Sequence, residues 1–158
     1  MNLNTNHEYF MSLAIDMAKK SLEFDEVPVG AIVVKNNEVI GRGYNSNLNS
    51  NDPTAHAEIN AIKEASKFLN NYRLPNCSLY VTLEPCIMCL GAIFHARISH
   101  VFFSANDLKT GACGGFINLI NNRGLNHHCE FSSGLLSNQT STLLTNFFKS
   151  KRQKKPQN

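Results

Sequence analysis

No apolar run in this 158-residue chain approaches the ~20 residues needed to cross a bilayer. The opening stretch, Met1-Asn2-Leu3-Asn4-Thr5-Asn6-His7-Glu8, lacks the charged-then-apolar build of a signal peptide, so the cytoplasm is the expected compartment. Cysteine is sparse and odd in number: the five residues argue against a disulfide scaffold and leave thiols for metal or catalysis. No internal repeat is visible. At this length, residues 1–158 are expected to form one domain with a real core, ending in a short basic tail from about residue 149. Asparagine is abundant throughout and reads as compositional drift.

Acid nearly disappears from the C-terminal third. Residues 108–158 hold Glu130 against seven Lys/Arg, whereas residues 1–107 hold eight Lys/Arg and eleven Asp/Glu. Five of the seven cations fall in the last ten residues: Lys149, Lys151, Arg152, Lys154 and Lys155. A basic tail on a mildly acidic body points to a polyanion partner, with a solvated terminus as the plainer reading.

Residues 7–24 carry Phe10, Leu13, Ala14, Met17, Ala18 and Leu22 near the 3.6 period of an amphipathic helix. Residues 27–34 and 38–44 read as a hairpin turned by Asn36-Asn37, its first strand apolar enough to be central. Residues 45–53 form a polar loop leading to a helix over 55–68, with Asp52 or Thr54 as candidate caps. A strand over 78–83, a helix over 86–95 opened by Pro85, and a strand over 98–104 follow. Residues 106–115 are glycine-rich loop, 116–128 are ambiguous, 129–132 make a short fifth strand, and 137 to about 151 a last helix. On that helix Leu143, Leu144, Phe147 and Phe148 share a face. The alternation predicts an α/β fold, a mixed sheet covered by helices on both faces.

The chemistry lies at two helix starts. Cys86 and Cys89 are one turn apart where the helix dipole favours thiolate, and His56 can supply a third zinc ligand. A catalytic zinc uses three protein ligands and an open position for water, whose pKa it lowers to about 7. Glu58, two residues beyond His56, is then the general acid/base. That spacing points the two side chains apart on a helix flank, unless the metal lies off the helix end. Cys-x-x-Cys alone also fits a redox pair or a closed structural site. Against these, Ile87-Met88 fill the centre, and no fourth ligand shows pair spacing beyond the adjacent His127-His128. Cys77, Cys113 and Cys129 are isolated and expected as small buried residues.

His56-Ala57-Glu58 together with Pro85-Cys86-Ile87-Met88-Cys89 resembles the signature of the zinc-dependent nucleobase deaminases. Longer strings resemble the bacterial tRNA adenosine deaminases among them: Pro28-Val29-Gly30-Ala31, Asp52-Pro53-Thr54-Ala55, Thr82-Leu83-Glu84, Gly91-Ala92-Ile93, Asp107-Leu108-Lys109-Thr110-Gly111-Ala112, Leu125-Asn126-His127-His128 and Phe147-Phe148. The resemblance implies a cytidine-deaminase-like three-layer α/β/α sandwich on a five-stranded mixed sheet, a homodimer, and one zinc per chain. It implies deamination of adenosine to inosine at the wobble position of a tRNA anticodon stem-loop. His56, Cys86 and Cys89 look like the zinc ligands and Glu58 like the proton carrier. Asn45 and the Ala57 backbone look like base-reading groups, Val27 lies against the ring, and Asp107 looks like a loop residue near the ribose. Phe148 and the basic residues after it offer a stacking face and phosphate contacts. Gly115 departs from the pattern where a small hydroxyl residue is expected, as does Asn121-Asn122 where a histidine-like pair is expected. Two other readings share the motif or the charge: a deaminase of free bases or nucleosides, and a nucleic-acid-binding module with a structural zinc.

Overall fold

The computed structural model describes residues 3–122, 124–125, 127 and 129–154. Asn126 and His128 of the string at 125–128, Arg123, and the tail beyond Lys154 lie outside the described residues. The elements in chain order are α1 (Leu3–Glu23), β1 (Gly30–Lys35), β2 (Glu38–Tyr44), α2 (Asn47–Ser50), α3 (Ala57–Leu69), β3 (Ser78–Leu83), α4 (Ile87–His95), β4 (His100–Ala105), β5 (Glu130–Ser133) and α5 (Ser137–Gln153).

The five strands form one mixed sheet in the order β2-β1-β3-β4-β5. β1 is antiparallel to both neighbours, while β3, β4 and β5 are parallel. Strand alternation sorts the core into two layers. Ala31, Val33, Leu79, Val81, Val101 and Phe103 face Ala57, Ala61 and Ala65 of α3 and Leu90, Ile93 and Phe94 of α4. Ile32, Val34, Tyr80 and Phe102 face Phe10, Met11, Ala14, Ile15 and Met17 of α1. Ser104, on the same side as Phe102, donates to Thr140 at 2.8 Å and seats α5 on the α1 side. The expected sandwich is therefore present, with β1 interior as its apolar run predicts.

Two features of the sheet matter later. Gly41 and Gly43 of β2 lie directly under α3: a Cβ on either would sit 2.3 Å from a helix carbonyl, that of Ala61 or Ala57. On the other face, His100 stacks on Phe102 at 4.0 Å and Tyr80 stacks on it at 4.7 Å. His7 covers Phe102 and places Nδ1 2.7 Å from the Tyr80 hydroxyl.

Several expectations need correction. Asparagine is a signal after all: Asn36, Asn37, Asn51, Asn70 and Asn76 all adopt left-handed φ, the conformation that short amide side chains tolerate best among residues with a Cβ. Asn36 and Asn37 are the two residues of the hairpin turn, and Asn51 and Asn70 end helices. The loop at 45–53 contains the short helix α2. Leu22 is exposed rather than core-facing, and α5 buries only Thr140, its Leu143, Leu144 and Phe147 being half-covered and Phe148 exposed. Among the described residues, no helix is long and apolar enough to cross a membrane.

Candidate active site

Loops and helix starts converge at the end of the sheet where β3 and β4 finish and β1 begins. Here antiparallel β1 meets the parallel pair β3 and β4, and the site lies outside the carboxyl ends of β3 and β4, the side on which open α/β sheets bind ligands. β3 runs out through Leu83 and Glu84 into Pro85 and α4. α3 starts beside it.

His56 is the N-cap of α3 and Cys86 the N-cap of α4; both have extended backbone, and neither side chain caps its helix. A residue just outside the helix projects off its end, so His56 and the first-turn residue Glu58 can share one space despite their spacing. Asp52 and Thr54, the expected caps, instead bond each other: Asp52 Oδ1 accepts the Thr54 N–H at 2.8 Å and its hydroxyl at 2.7 Å.

His56 Nδ1 lies 3.6 Å from Cys86 Sγ and 3.5 Å from Cys89 Sγ. All three donor atoms lie within 4.8 Å of one another. Zinc–nitrogen and zinc–sulfur distances of about 2.1 and 2.3 Å at a tetrahedral angle separate N and S by about 3.6 Å. The trio therefore fits zinc in donor type and in spacing. None of the five cysteines is in a disulfide. The Cys89 thiol and His56 hold Cys86 down to about 4, a thiolate, while the same bond and burial push Cys89 up. The bond to Cys86 raises His56. Burial drives Glu58 up to about 7, against the pull of its own backbone N–H and the Cys89 thiol.

His56, Glu58 and Cys86 line a recess with Val27, Val29, Asn45, Asn47, Leu83, Glu84, Asp107 and Thr110. A second recess adjoins it, sharing Val27, Leu83, Asp107 and Thr110 and extending over Leu108, Lys109, Leu144 and Phe148. Val27, Asn45 and Asp107 line the recess that holds His56, Glu58 and Cys86, while Phe148 lines the outer recess only. Ala57 is fully buried, and its N–H donates to Asn45 Oδ1 at 2.9 Å. These two expected base-reading groups satisfy each other, and it is Asn45 that lines the recess. Glu84, Asn47 and Thr110 were not among the expected site residues. A carboxylate inside an apolar strand exit, facing a loop with three glycines, was the available signal for Glu84. Gly115, which departs from the expected hydroxyl residue, has steric reason to be glycine: a Cβ there would sit 2.2 Å from the Asp107 carbonyl oxygen. Cys77 is buried as expected, whereas Cys113 and Cys129 are half-buried against the same core.

The family model for the cytidine and deoxycytidylate deaminase zinc-binding region matches residues 4–105. A tRNA-specific adenosine deaminase of Buchnera aphidicola subsp. Baizongia pistaciae is 48% identical over 152 residues, covering 95% of this chain and 93% of the relative. A tRNA-specific adenosine deaminase of Haemophilus influenzae is 44% identical over 149 residues, covering 94% and 86%. A solved structure from work on A-to-I editing by tRNA:A34 deaminases at the wobble position of transfer RNA superposes with a TM-score of 0.81 at 41% identity, covering 86% of this chain and 99% of its own.

Proposed function

Since this chain belongs to the cytidine and deoxycytidylate deaminase family and, within it, to the tRNA-specific adenosine deaminases, we propose that it hydrolyses adenosine to inosine at the wobble position of a tRNA anticodon stem-loop. The observation that carries this is the open three-ligand trio beside a buried carboxylate, at the floor of a recess that continues into a second one. Only the reacting base needs the inner recess. A base flipped out of a single-stranded loop enters it, while its neighbours occupy the outer recess.

His56, Cys86 and Cys89 hold the zinc, one per chain. When bound, zinc supplies the Lewis acidity that makes water nucleophilic near neutral pH. Glu58 accepts the proton of the attacking water and passes it to N1 of the adenine as oxygen adds at C6. It then carries the second proton to the amino nitrogen; the C6–N bond breaks, ammonia leaves, and the purine keeps the oxygen. Asn45 donates from its amide nitrogen to the base, its oxygen being held by Ala57. Val27 flanks the ring. Asp107 faces the sugar side and Phe148 a neighbouring base, both from the shared wall and outer recess. A reducing compartment keeps the Cys86 and Cys89 thiols free for a metal, which together with a tRNA substrate supports the cytoplasm as the protein's location. The chain pairs as a homodimer in this reading, for which exposed Ile87, Phe116 and Ile117 offer apolar surface to cover.

The test incubates the zinc-loaded protein with an anticodon stem-loop bearing a wobble adenosine, and separately with adenosine and cytidine, and measures products by mass spectrometry. Inosine from the stem-loop is expected, with oxygen-18 incorporated from labelled water. Turnover of free nucleosides with the stem-loop untouched overturns the reading in favour of a nucleoside deaminase.

A further inference from the structure

Glu84 is almost fully buried, and among the described residues no Lys or Arg pairs with it. A buried carboxylate needs compensation, and here backbone amides of one loop supply it. Oε2 accepts the N–H of Cys113 at 3.0 Å and of Gly115 at 2.9 Å; Oε1 accepts the N–H of Asp107 at 3.3 Å. The carboxylate therefore ties both ends of the loop at 107–115 to the exit of β3. The loop is shaped around it. A Cβ on Gly111 would sit 2.0 Å from Oε2, and one on Gly115 2.7 Å from Oε1. Asp107 completes the fold of the loop by accepting from the Lys109 and Thr110 N–H groups and the Thr110 hydroxyl.

This loop is the wall between the two recesses. Asp107 and Thr110 line both, and Leu108 and Lys109 line the outer one. We propose that Glu84 is a positioning residue: its carboxylate sets this wall and so determines how tightly the nucleotides beside the reacting base are held. This rests on the RNA-deaminase reading above. Although Glu84 borders the inner recess, both of its oxygens are already engaged by the loop, so its role is to place Asp107 and Thr110 rather than to move protons.

Glu84→Gln keeps the shape but can satisfy only part of the amide cluster, because one oxygen becomes a donor. The expected result is one zinc per chain, kcat within about threefold of wild type with an unchanged pH profile, and a KM for the stem-loop raised about tenfold, the scale of one lost charge-assisted hydrogen bond. Amide hydrogen exchange at Cys113 and Gly115 should quicken. Gly115→Ala, which presses on Asp107 from the loop side, should show the same KM-weighted split. Loss of zinc, a collapse of kcat at unchanged KM, or a shifted pH profile in Glu84→Gln overturns the assignment. The exchange measurement needs no substrate, so unchanged protection at Cys113 and Gly115 refutes it even if the stem-loop proves not to be the substrate. A wild-type protein inactive on the stem-loop refutes the functional reading instead.

Discussion

Glu58 sits in the first turn of α3, buried, two residues after a metal ligand that belongs to no helix. In the proposed mechanism it carries a proton between sites on one substrate, and the metal-spaced trio is His56, Cys86 and Cys89 without it. Glu58→Gln should therefore retain one zinc per chain by elemental analysis, while deamination falls about 10²–10⁴-fold or more. Zinc loss in that variant would make Glu58 part of the metal site. The residues nearest the chemistry were legible in the sequence because zinc and proton transfer admit few side-chain types. The contacts that residues far apart in the chain make with one another were not. Asn45 and Ala57 are twelve residues apart yet share one hydrogen bond. Glu84 meets amides more than twenty residues ahead. No local spacing encodes either meeting.

At the scale of elements, strands were the easiest part: β2 and β3 occupy the predicted residues, since turns and alternation bound them. Helix starts shifted by one or two residues where a ligand rather than a polar cap occupies the N-cap, as at His56 and Cys86. The packing of α3 on β2 gives a direct test. A methyl group at Gly43 must displace the helix that carries Glu58, so Gly43→Ala should cost about 1–3 kcal/mol in denaturant unfolding and reduce activity with it. Unchanged stability would mean α3 sits farther from the sheet. The stack on the opposite face carries a pH dependence. Desolvation holds His100 below its usual 6.5, with His7 adding to the effect and Glu130, 3.5 Å away, opposing it. The folded state thus binds fewer protons than the unfolded chain just below 6.5. The contribution of His100 is complete above that value and is lost as pH falls through the lower folded one. His100→Phe keeps the stack on Phe102 and should flatten this part of a melting-temperature profile; an unaltered profile would assign the acid sensitivity elsewhere.

Over the whole molecule, charge is divided between an acidic body and a basic end, but the structure does not leave every tail cation free. Lys151 forms an ion pair with Asp25 in the loop before β1 and lies 5.5 Å over the Phe147 ring. It holds α5 near the outer recess and is not a free phosphate contact. Removing residues 149–158 should weaken stem-loop binding and lower the salt slope of log K, each released phosphate contact counting about 0.7–0.9. A slope that does not change would show that the tail contacts no phosphate. The sequence revealed the charge bias but not this internal use of Lys151, because its partner lies 126 residues away.

The placement of two ligands at uncapped helix starts has a thermodynamic side. A bound metal would add a link between His56 and Cys86, and so between α3 and α4, to the contacts they already make, so part of the protein's stability is set by its binding equilibrium. That part grows by about 1.4 kcal/mol for each tenfold rise in free zinc above the dissociation constant. When zinc is scarce, chains without it open more often and meet proteases sooner. The supply of metal then governs how many molecules of the enzyme persist, as well as how many can react.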